Sequence, residues 1–277
     1  MRDFSDKKRI VIKIGSSSLF HTDTKKMDLM KIEKLVRILT DLKNKGKDVI
    51  LVSSGAIATG RNMMKLEDNE LNLALRQACA SIGQAQLITI YQKLFMEYNQ
   101  VASQVLITRY TFHSKHTREN TANTFNGLLS LNAIPIVNEN DTVTTEEIVF
   151  GDNDCLSAMV AKLVGADLLI ILSDIDGFYS DDPRKNPDAK LISKVDNISD
   201  DIIDMGKKTT GTNYGSGGMA SKLEAGLIAC GSGIDMVITN SNNLDNLTKV
   251  LRGDEIGTLF AAGGAPEYEF SEFSVND

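Results

Sequence analysis

Residues 9–18 read RIVIKIGSSS. β-branched residues surround Lys13, and the run ends at Gly15, which is typical of a buried strand. Downstream, apolar residues recur at helical spacing over residues 27–45 and predict a helix. A second apolar run, at residues 48–53, predicts another strand. This succession of strand, helix and strand indicates an α/β fold, because parallel strands need a crossover of this kind.

The alternation of helices and strands continues along the rest of the chain. The predicted helices are residues 69–98, 117–131, 153–164, 219–230 and 244–251, and the predicted strands are residues 101–107, 134–138, 167–173, 235–239 and a short one near Thr258. This order predicts a three-layer α/β/α sandwich with a mostly parallel central sheet. In open sheets of this kind, ligands bind outside the carboxyl ends of the strands, so we expect the functional site there.

The composition argues against several classes of protein. The chain has 277 residues, 42% of them hydrophobic, with 30 Lys and Arg against 37 Asp and Glu and a net charge of −7. An acidic chain without a Lys/Arg block lacks the electrostatic signature of nucleic-acid binding. Its apolar runs are far shorter than the about 20 residues of a membrane span, and the charged N-terminus has no signal-type apolar core. We therefore expect a cytoplasmic protein with no nucleic-acid or membrane partner.

The cysteines and histidines do not predict a metal site. The three cysteines lie far apart in helical patterns, and the three histidines do not join them at ligand spacing. We expect reduced thiols that pack as small hydrophobic side chains. The residues concerned are Cys79, Cys155, Cys230, His21, His113 and His116.

Two predicted strands end in residues suited to anions. Lys13 lies inside an apolar strand, where an unpaired ammonium group is costly to bury. It could be an edge-strand lysine in water, but its apolar neighbours favour a central strand and an anionic ligand at the strand end. The second strand runs into Ser54 and Gly55 before a helix, where free backbone N–H groups attract anions. A simple turn with a capping serine explains that segment equally well.

Two dense clusters of Asn and Asp flank a polar excursion. Residues 138–141 read NEND, and residues 151–154 read GDND just before a predicted helix. One acidic residue there would be ordinary helix capping, but two such clusters exceed what capping requires. They offer partners for an ammonium group, for a metal-phosphate complex or for lysines.

Two later segments are ambiguous by themselves. Residues 173–177 (SDIDG) resemble the start of a calcium loop, but the later ligand positions do not follow. Residues 211–222 (GTNYGSGGMASK) are a glycine-rich loop that opens a helix carrying Lys222. No strand precedes this loop as in a dinucleotide fingerprint, and no Gly directly precedes the lysine as in a P-loop. The alternatives are a flexible hinge and a phosphate-binding loop.

Taken in order, these segments resemble the amino acid kinase family, and within it the branch that phosphorylates glutamate. The pair of NEND and GDND segments points to that branch. The matching stretches are residues 11–16 (VIKIGS), 52–58 (VSSGAIA), 136–143 (IVNENDTV), 150–158 (FGDNDCLSA), 172–174 (LSD), 177–184 (GFYSDDPR) and 217–222 (GGMASK).

The resemblance implies transfer of the ATP γ-phosphoryl group to the side-chain carboxylate of L-glutamate, the first step of proline synthesis. A carboxylate is already an ionised nucleophile at neutral pH, so this chemistry needs no general base. It needs positioning and neutralisation of charge instead. Mg²⁺ should enter with the nucleotide, bound chiefly by phosphates and water, and we identify no protein ligand for it. Proline is the expected feedback inhibitor.

The resemblance also implies roles for particular residues. Lys13 and Lys222 would stabilise the transferring phosphoryl group, and Asp154 would hold both lysines in place. The glutamate-binding residues would be Ser54, Gly55, Asp141 and Asn153. The ATP-binding residues would be Lys13, Gly15, Ser16, Ser173, Asp174, Ser216, Gly217, Gly218, Met219, Ala220, Ser221 and Lys222.

The motifs predict one kinase domain over residues 1–262 and an acidic, poorly ordered tail over residues 263–277. Many bacterial members of the family carry a further C-terminal PUA domain, and we expect a short form without it. The resemblance also implies a homo-oligomer, a dimer or a tetramer, in which residues 69–98 could form an interface or ordinary core. Residues 142–150 are predicted to be a mobile cover over the site.

Overall fold

The computed structural model describes residues 2–67, 71–143, 153–183, 185–209 and 218–270. The strands are β1 (Arg9–Ile14), β2 (Asp48–Val52), β3 (Ala102–Ile107), β4 (Ile134–Glu139), β5 (Leu168–Ser173), β6 (Phe178–Tyr179), β7 (Leu191–Ile192), β8 (Lys194–Val195), β9 (Asp235–Asn240) and β10 (Thr258–Phe260). The helices are α1 (Ser16–Leu19), α2 (Leu29–Asn44), α3 (Ala56–Met64), α4 (Leu73–Glu97), α5 (Tyr110–His113), α6 (Lys115–Ser130), α7 (Asn153–Val164), α8 (Asp200–Thr209), α9 (Met219–Gly231) and α10 (Asp245–Leu251).

The chain divides into two units. Unit 1 comprises the described residues of Met1–Lys13 and Gly151–Phe273, and unit 2 those of Ile14–Phe150. Each unit combines strands with helices, in keeping with the alternation in the sequence.

In unit 1 the strand order is β1, β5, β9, β10 and β8. Strands β5 and β9 are parallel, with Leu168 opposite Asp235 and Ser173 opposite Asn240. Strand β10 is antiparallel to β9 and parallel to β8. Strand β5 is buried along its whole length, as expected for a central strand between helical layers. Helix α7 is also largely buried and packs against α9.

In unit 2 the strand order is β3, β4 and β2, with β4 parallel to both neighbours. Helices α3 and α4 pack closely against each other. At Gly83, an added Cβ would lie 1.8 Å from the Ala56 carbonyl oxygen, so the two backbones meet where only glycine fits. The prediction of an α/β fold with a mostly parallel sheet is therefore confirmed.

The predicted elements agree with the structure over most of the described chain. The bounds of β1 and of α7 are as predicted. The interpretation of the stretch between β5 and α9 as a long polar loop was wrong, because it contains β6, β7, β8 and α8. Strands of two residues are too short to show a period in the sequence, and α8 is rich in Asp and Lys.

Other features of the described residues follow the sequence. The three cysteines are free and buried, as predicted. Burial and the nearby Asp235 raise the pKa of the Cys230 thiol to about 12, so this thiol stays protonated. No helix in the described part of the chain is both long and apolar enough to cross a membrane. Residues 264–270 pack against other parts of unit 1: Gly264 O accepts from Ile198 N, and Gly231 O accepts from Tyr268 N.

Candidate active site

Three charged side chains meet inside unit 1. The carboxylate of Asp154 lies between two ammonium groups, with Oδ1 2.5 Å from Lys13 Nζ and Oδ2 3.0 Å from Lys222 Nζ. Asp154 is fully buried, and Lys13 and Lys222 are only 6% and 4% exposed. The structure thus brings together the three residues for which the resemblance implies a catalytic role, and we call them the Lys–Asp–Lys cluster.

The local structure explains how these side chains reach one point. Lys13 lies near the carboxyl end of β1 among buried neighbours. Asp154 lies in the first turn of α7, where the helix dipole favours a carboxylate. Lys222 lies in the first turn of α9, where the dipole disfavours a cation. Lys222 therefore gains stability from a neighbouring anion, and Asp154 is one such anion.

The carboxyl group of the cluster is ionised. Burial opposes ionisation of the Asp154 carboxyl, but the ion pairs and hydrogen bonds with Lys13 and Lys222 outweigh it and lower the pKa of Asp154 to about 2. One ionised carboxylate then faces two ammonium groups in a place shielded from water. Ammonium groups held in this way can also bind a phosphoryl group through charge-assisted hydrogen bonds.

A second group of polar side chains lies at the ends of β5 and β9. Ser173 is buried, and its Oγ donates to Asp174 Oδ1 at 3.2 Å. Asn240, opposite Ser173 in the register, donates from Nδ2 to Asp176 Oδ1 at 2.8 Å. Ser173 and Asp174 were predicted to bind ATP. Asn240 and Asp176 were not, because only the register of two strands distant in sequence brings them to the same edge.

The loop that opens α9 is described in part. Gly218 is the N-cap residue of α9, and its carbonyl oxygen accepts from Ser221 Oγ at 2.8 Å. Met219 is buried, as is Lys222 one turn into the helix. Of the other predicted ATP-binding residues, Ala220 lies exposed in the first turn of the helix, while Ser216 and Gly217 lie outside the described residues.

In unit 2, the predicted phosphate-binding residues Gly15 and Ser16 begin the short helix α1, with Gly15 as its N-cap residue. Ser16 also lines a cavity of about 220 Å³ together with the basic residues His21, Lys25 and Arg61. This cavity was not predicted, because its wall combines α1, the following turn and α3.

Two predicted glutamate-binding residues, Ser54 and Gly55, lie between β2 and α3 in unit 2. Gly55 is the N-cap residue of α3 and has a φ of 101°, a conformation that favours glycine. A Cβ at this position would also lie 2.9 Å from Cε2 of Phe20. The backbone N–H groups in the first turn of α3 have no partner within the helix, which suits a carboxylate ligand.

The remaining predicted glutamate-binding residues are Asp141 and Asn153. Asp141 lies in unit 2 just beyond β4, and Asn153 is the first residue of α7 in unit 1. Burial raises the pKa of the Asp141 carboxyl to about 6, although the positive charge of Arg76 opposes this effect. Arg76 was missed in the sequence, since no local motif connects it with Asp141.

Within the described ranges, no group of three or more His, Cys, Asp or Glu side chains could hold a metal ion. The predicted cover, residues 142–150, is described only at Thr142 and Val143, and the rest lies outside the described residues.

The amino acid kinase family matches residues 8–240 of the chain. The chain is 49% identical over 253 residues to a glutamate 5-kinase of Carboxydothermus hydrogenoformans, covering 91% of this chain and 68% of that protein. It is 47% identical over 261 residues to a glutamate 5-kinase of Clostridium perfringens, covering 93% of this chain and 96% of that protein.

A similar fold occurs among solved structures. The UMP kinase from Bacillus anthracis superposes with a TM-score of 0.63 at 14% sequence identity, covering 92% of this chain and 96% of that one. At this level of identity the likeness concerns the fold alone, which agrees with the α/β architecture described above.

Proposed function

The chain belongs to the amino acid kinase family, and we propose that it transfers the γ-phosphoryl group of ATP to the side-chain carboxylate of L-glutamate. The product is L-glutamyl 5-phosphate, and the reaction is the first step of proline biosynthesis. The observation that carries the proposal is the buried Lys–Asp–Lys cluster, in which one carboxylate holds two ammonium groups.

The reaction follows from the charges. A carboxylate oxygen of glutamate forms a bond to the γ-phosphorus while the bond from that phosphorus to the bridging oxygen of ADP breaks. The bridging oxygen keeps the electron pair, and no proton has to move. Negative charge grows on the leaving oxygen and is spread over the transferring group. Lys13 and Lys222 stabilise this charge, and Asp154 holds their ammonium groups in place.

The residues proposed to bind glutamate are Ser54, Gly55, Asp141 and Asn153. The first turn of α3 offers backbone donors to a glutamate carboxylate, and the ionised Asp141 attracts the α-ammonium group. Lys13, Ser173, Asp174 and the first turn of α9 bind the nucleotide. We assign Asn153 to glutamate because the resemblance to the family implies this role.

Magnesium is part of the proposal as a companion of the nucleotide. The ion would arrive bound chiefly to phosphate oxygens and water, as the resemblance to the family implies. When bound, the ion neutralises phosphate charge. Proline inhibition at the glutamate site, a homo-oligomeric state and a cytoplasmic location are further parts of the proposal.

An acyl-phosphate trap tests the function. Hydroxylamine converts an acyl phosphate to a hydroxamate, so we expect hydroxamate only when both ATP and glutamate are present, and less of it when proline is added. Aspartate and acetylglutamate serve as comparison substrates. Robust turnover with one of these and none with glutamate would contradict the proposed substrate.

A further inference from the structure

Helix α4 has one buried row of side chains. This row contacts both segments of unit 2 that carry proposed glutamate-binding residues, namely the end of β2 before Ser54 and the end of β4 before Asp141. The row includes Ala80, Gly83, Gln84, Leu87 and Tyr91, which recur at helical spacing. A buried helical row is normally apolar, because an unpaired polar group costs free energy in the interior. Gln84 and Tyr91 depart from that pattern, and each has a defined polar partner.

Gln84 connects α4 with strands β4 and β3. Its Oε1 accepts from Nδ2 of Asn138 at 2.9 Å, and its Nε2 donates to Oε1 of Gln104 at 3.0 Å. Asn138 is itself buried, and its Oδ1 accepts from the backbone N–H of Glu139 at 2.9 Å. The amide of Gln84 therefore holds the end of β4, from which the chain continues directly to Asp141.

Tyr91 makes the corresponding contact with β2. Its hydroxyl lies 3.0 Å from Oγ of Ser53, and both residues are fully buried. Burial raises the pKa of Tyr91 to about 12, although its hydrogen bond with Ser53 lowers it, so the hydroxyl keeps its proton. Ser53 immediately precedes the proposed glutamate-binding residues Ser54 and Gly55.

The backbone of α4 makes a third contact, with helix α3. Gly83, the neighbour of Gln84, lies against the carbonyl of Ala56 in the first turn of α3, closer than a side chain would allow. One rigid helix thus contacts the residue before Ser54, the first turn of α3 and the strand end before Asp141. A long helix that holds these points together also sets the spacing between them.

We propose that Gln84 and Tyr91 are positioning residues for the amino acid substrate: through α4 they fix the distance between the Ser54–Gly55 backbone and Asp141, and thereby the length of the substrate that fits. This inference rests on the proposed function. Neither side chain touches the reacting atoms, so their effect falls on glutamate binding and leaves the nucleotide site of unit 1 unchanged.

Substitutions that keep volume but remove the polar contacts test the inference. Gln84→Leu removes both hydrogen bonds of the amide, and Tyr91→Phe removes one hydroxyl. Gln84→Glu keeps an acceptor for Asn138 Nδ2. The matched control is Gln92→Leu on the same helix, because Gln92 Nε2 donates to the carbonyl oxygen of Ala102 at the far end of β3. The measurements are KM for glutamate, KM for ATP, kcat and the melting temperature of each variant.

We expect Gln84→Leu to raise KM for glutamate by about tenfold or more, the effect of leaving a buried partner unsatisfied. Tyr91→Phe should raise it less, Gln84→Glu should fall between wild type and Gln84→Leu, and KM for ATP should change less than about twofold throughout. Gln92→Leu should behave as wild type. Should Gln84→Leu fail to fold, Tyr91→Phe and Gln84→Glu give the same comparison.

An unchanged KM for glutamate in Gln84→Leu and Tyr91→Phe would overturn the inference, as would a parallel rise in KM for ATP. In either case a wild-type enzyme that phosphorylates glutamate leaves the proposed function standing. A wild-type enzyme that forms no glutamate-dependent product overturns the proposed function first, and this inference with it.

Discussion

At the scale of single residues, the Asp154 carboxylate and an incoming phosphoryl group would share the same two lysines. Lys13 and Lys222 each lie within 3.0 Å of Asp154, so either ammonium group can be held in place before ATP binds. Such preorganised charge is effective because it does not have to reorient during the reaction. The cluster is therefore the part of the molecule in which one substitution should have its largest effect on turnover.

Removal of either lysine tests this directly. We expect Lys13→Ala and Lys222→Ala each to lower kcat by about a hundredfold or more, the usual effect of removing a donor from a preorganised site. The matched control is Lys194→Ala in the same unit, which removes an exposed lysine paired with Asp196 at 2.6 Å. Steady-state kinetics with ATP and glutamate measure the effect, and near-wild-type turnover in both cluster variants would refute the assigned roles.

If Asp141 binds the glutamate ammonium group as proposed, the reaction should be sensitive to pH. Because burial raises the pKa of Asp141 to about 6, this group loses its charge as the pH falls below that value. A neutral carboxyl attracts the glutamate ammonium group less, so kcat/KM for glutamate should fall by about tenfold per pH unit below this pKa. This fall is the acidic limb of the pH profile. Asp141→Asn should give a lower kcat/KM whose pH profile lacks the acidic limb.

Arg76 supplies an independent check of the same limb. Its positive charge favours the ionised form of Asp141, so Arg76→Ala should raise the pKa of Asp141 and move the limb to higher pH. The control measurement is kcat/KM for ATP at saturating glutamate over the same range. An acidic limb that persists in Asp141→Asn would show that another group titrates.

At the scale of elements, the contact between α3 and α4 allows no side chain at Gly83. Its added Cβ would meet the Ala56 carbonyl at 1.8 Å and the Gly60 nitrogen at 2.4 Å, and both are backbone atoms that cannot rotate away. Gly83→Ala must therefore separate the helices, and we expect it to lower the free energy of unfolding by about 1–3 kcal/mol or more.

Gly127→Ala is the matched control for that substitution. Gly127 lies within α6, and nothing lies within 4 Å of its added Cβ. Here alanine should raise the free energy of unfolding by about 0.5–1 kcal/mol, because glycine is a poor helix former. Urea unfolding of both variants measures the difference. Equal unfolding midpoints for Gly83→Ala and Gly127→Ala would show that the close contact of Gly83 with α3 does not restrict the side chain at this position.

At the scale of the whole molecule, the sequence predicts the alternating apolar strands and helices better than the short or highly charged elements between them. The bounds of β1 and α7 follow from continuous apolar runs and match the structure. Helix α8 was missed, since its Asp and Lys residues resemble a polar loop. Periodicity predicts elements that bury a face, whereas short or highly charged elements depend on what they pack against.

Some residues of the candidate site can likewise be predicted from the sequence, and others cannot. Lys13, Asp154 and Lys222 could be named because each lies in a recognisable local segment at a strand end or a helix start. The links between Gln84 and Asn138, and between Arg76 and Asp141, could not, because each joins residues far apart in sequence. Both contacts involve side chains of α4. The sequence predicts this helix, but it does not show which distant residues the helix packs against.

The end of the described chain provides a last test of how the molecule is held together. In residues 264–270, Tyr268 is linked to both helices of the Lys–Asp–Lys cluster. Its N–H donates to Gly231 O on α9 at 3.1 Å, and its carbonyl oxygen accepts from Lys162 Nζ on α7. The same ammonium group lies 5.5 Å from the ring centre of Tyr268 and 5.0 Å from that of Phe270.

A chain ending at Gly263 should therefore unfold at a lower temperature than one ending at Phe270. Each lost hydrogen bond contributes about 0.5–1.5 kcal/mol and a cation–π contact about 0.5–1 kcal/mol, so we expect a fall of about 5 °C or more. Calorimetry of the two truncated chains and the full chain measures this, with the chain ending at Phe270 as the control. Equal melting temperatures for all three would mean that the contacts of Tyr268 and Phe270 do not stabilise α7 and α9.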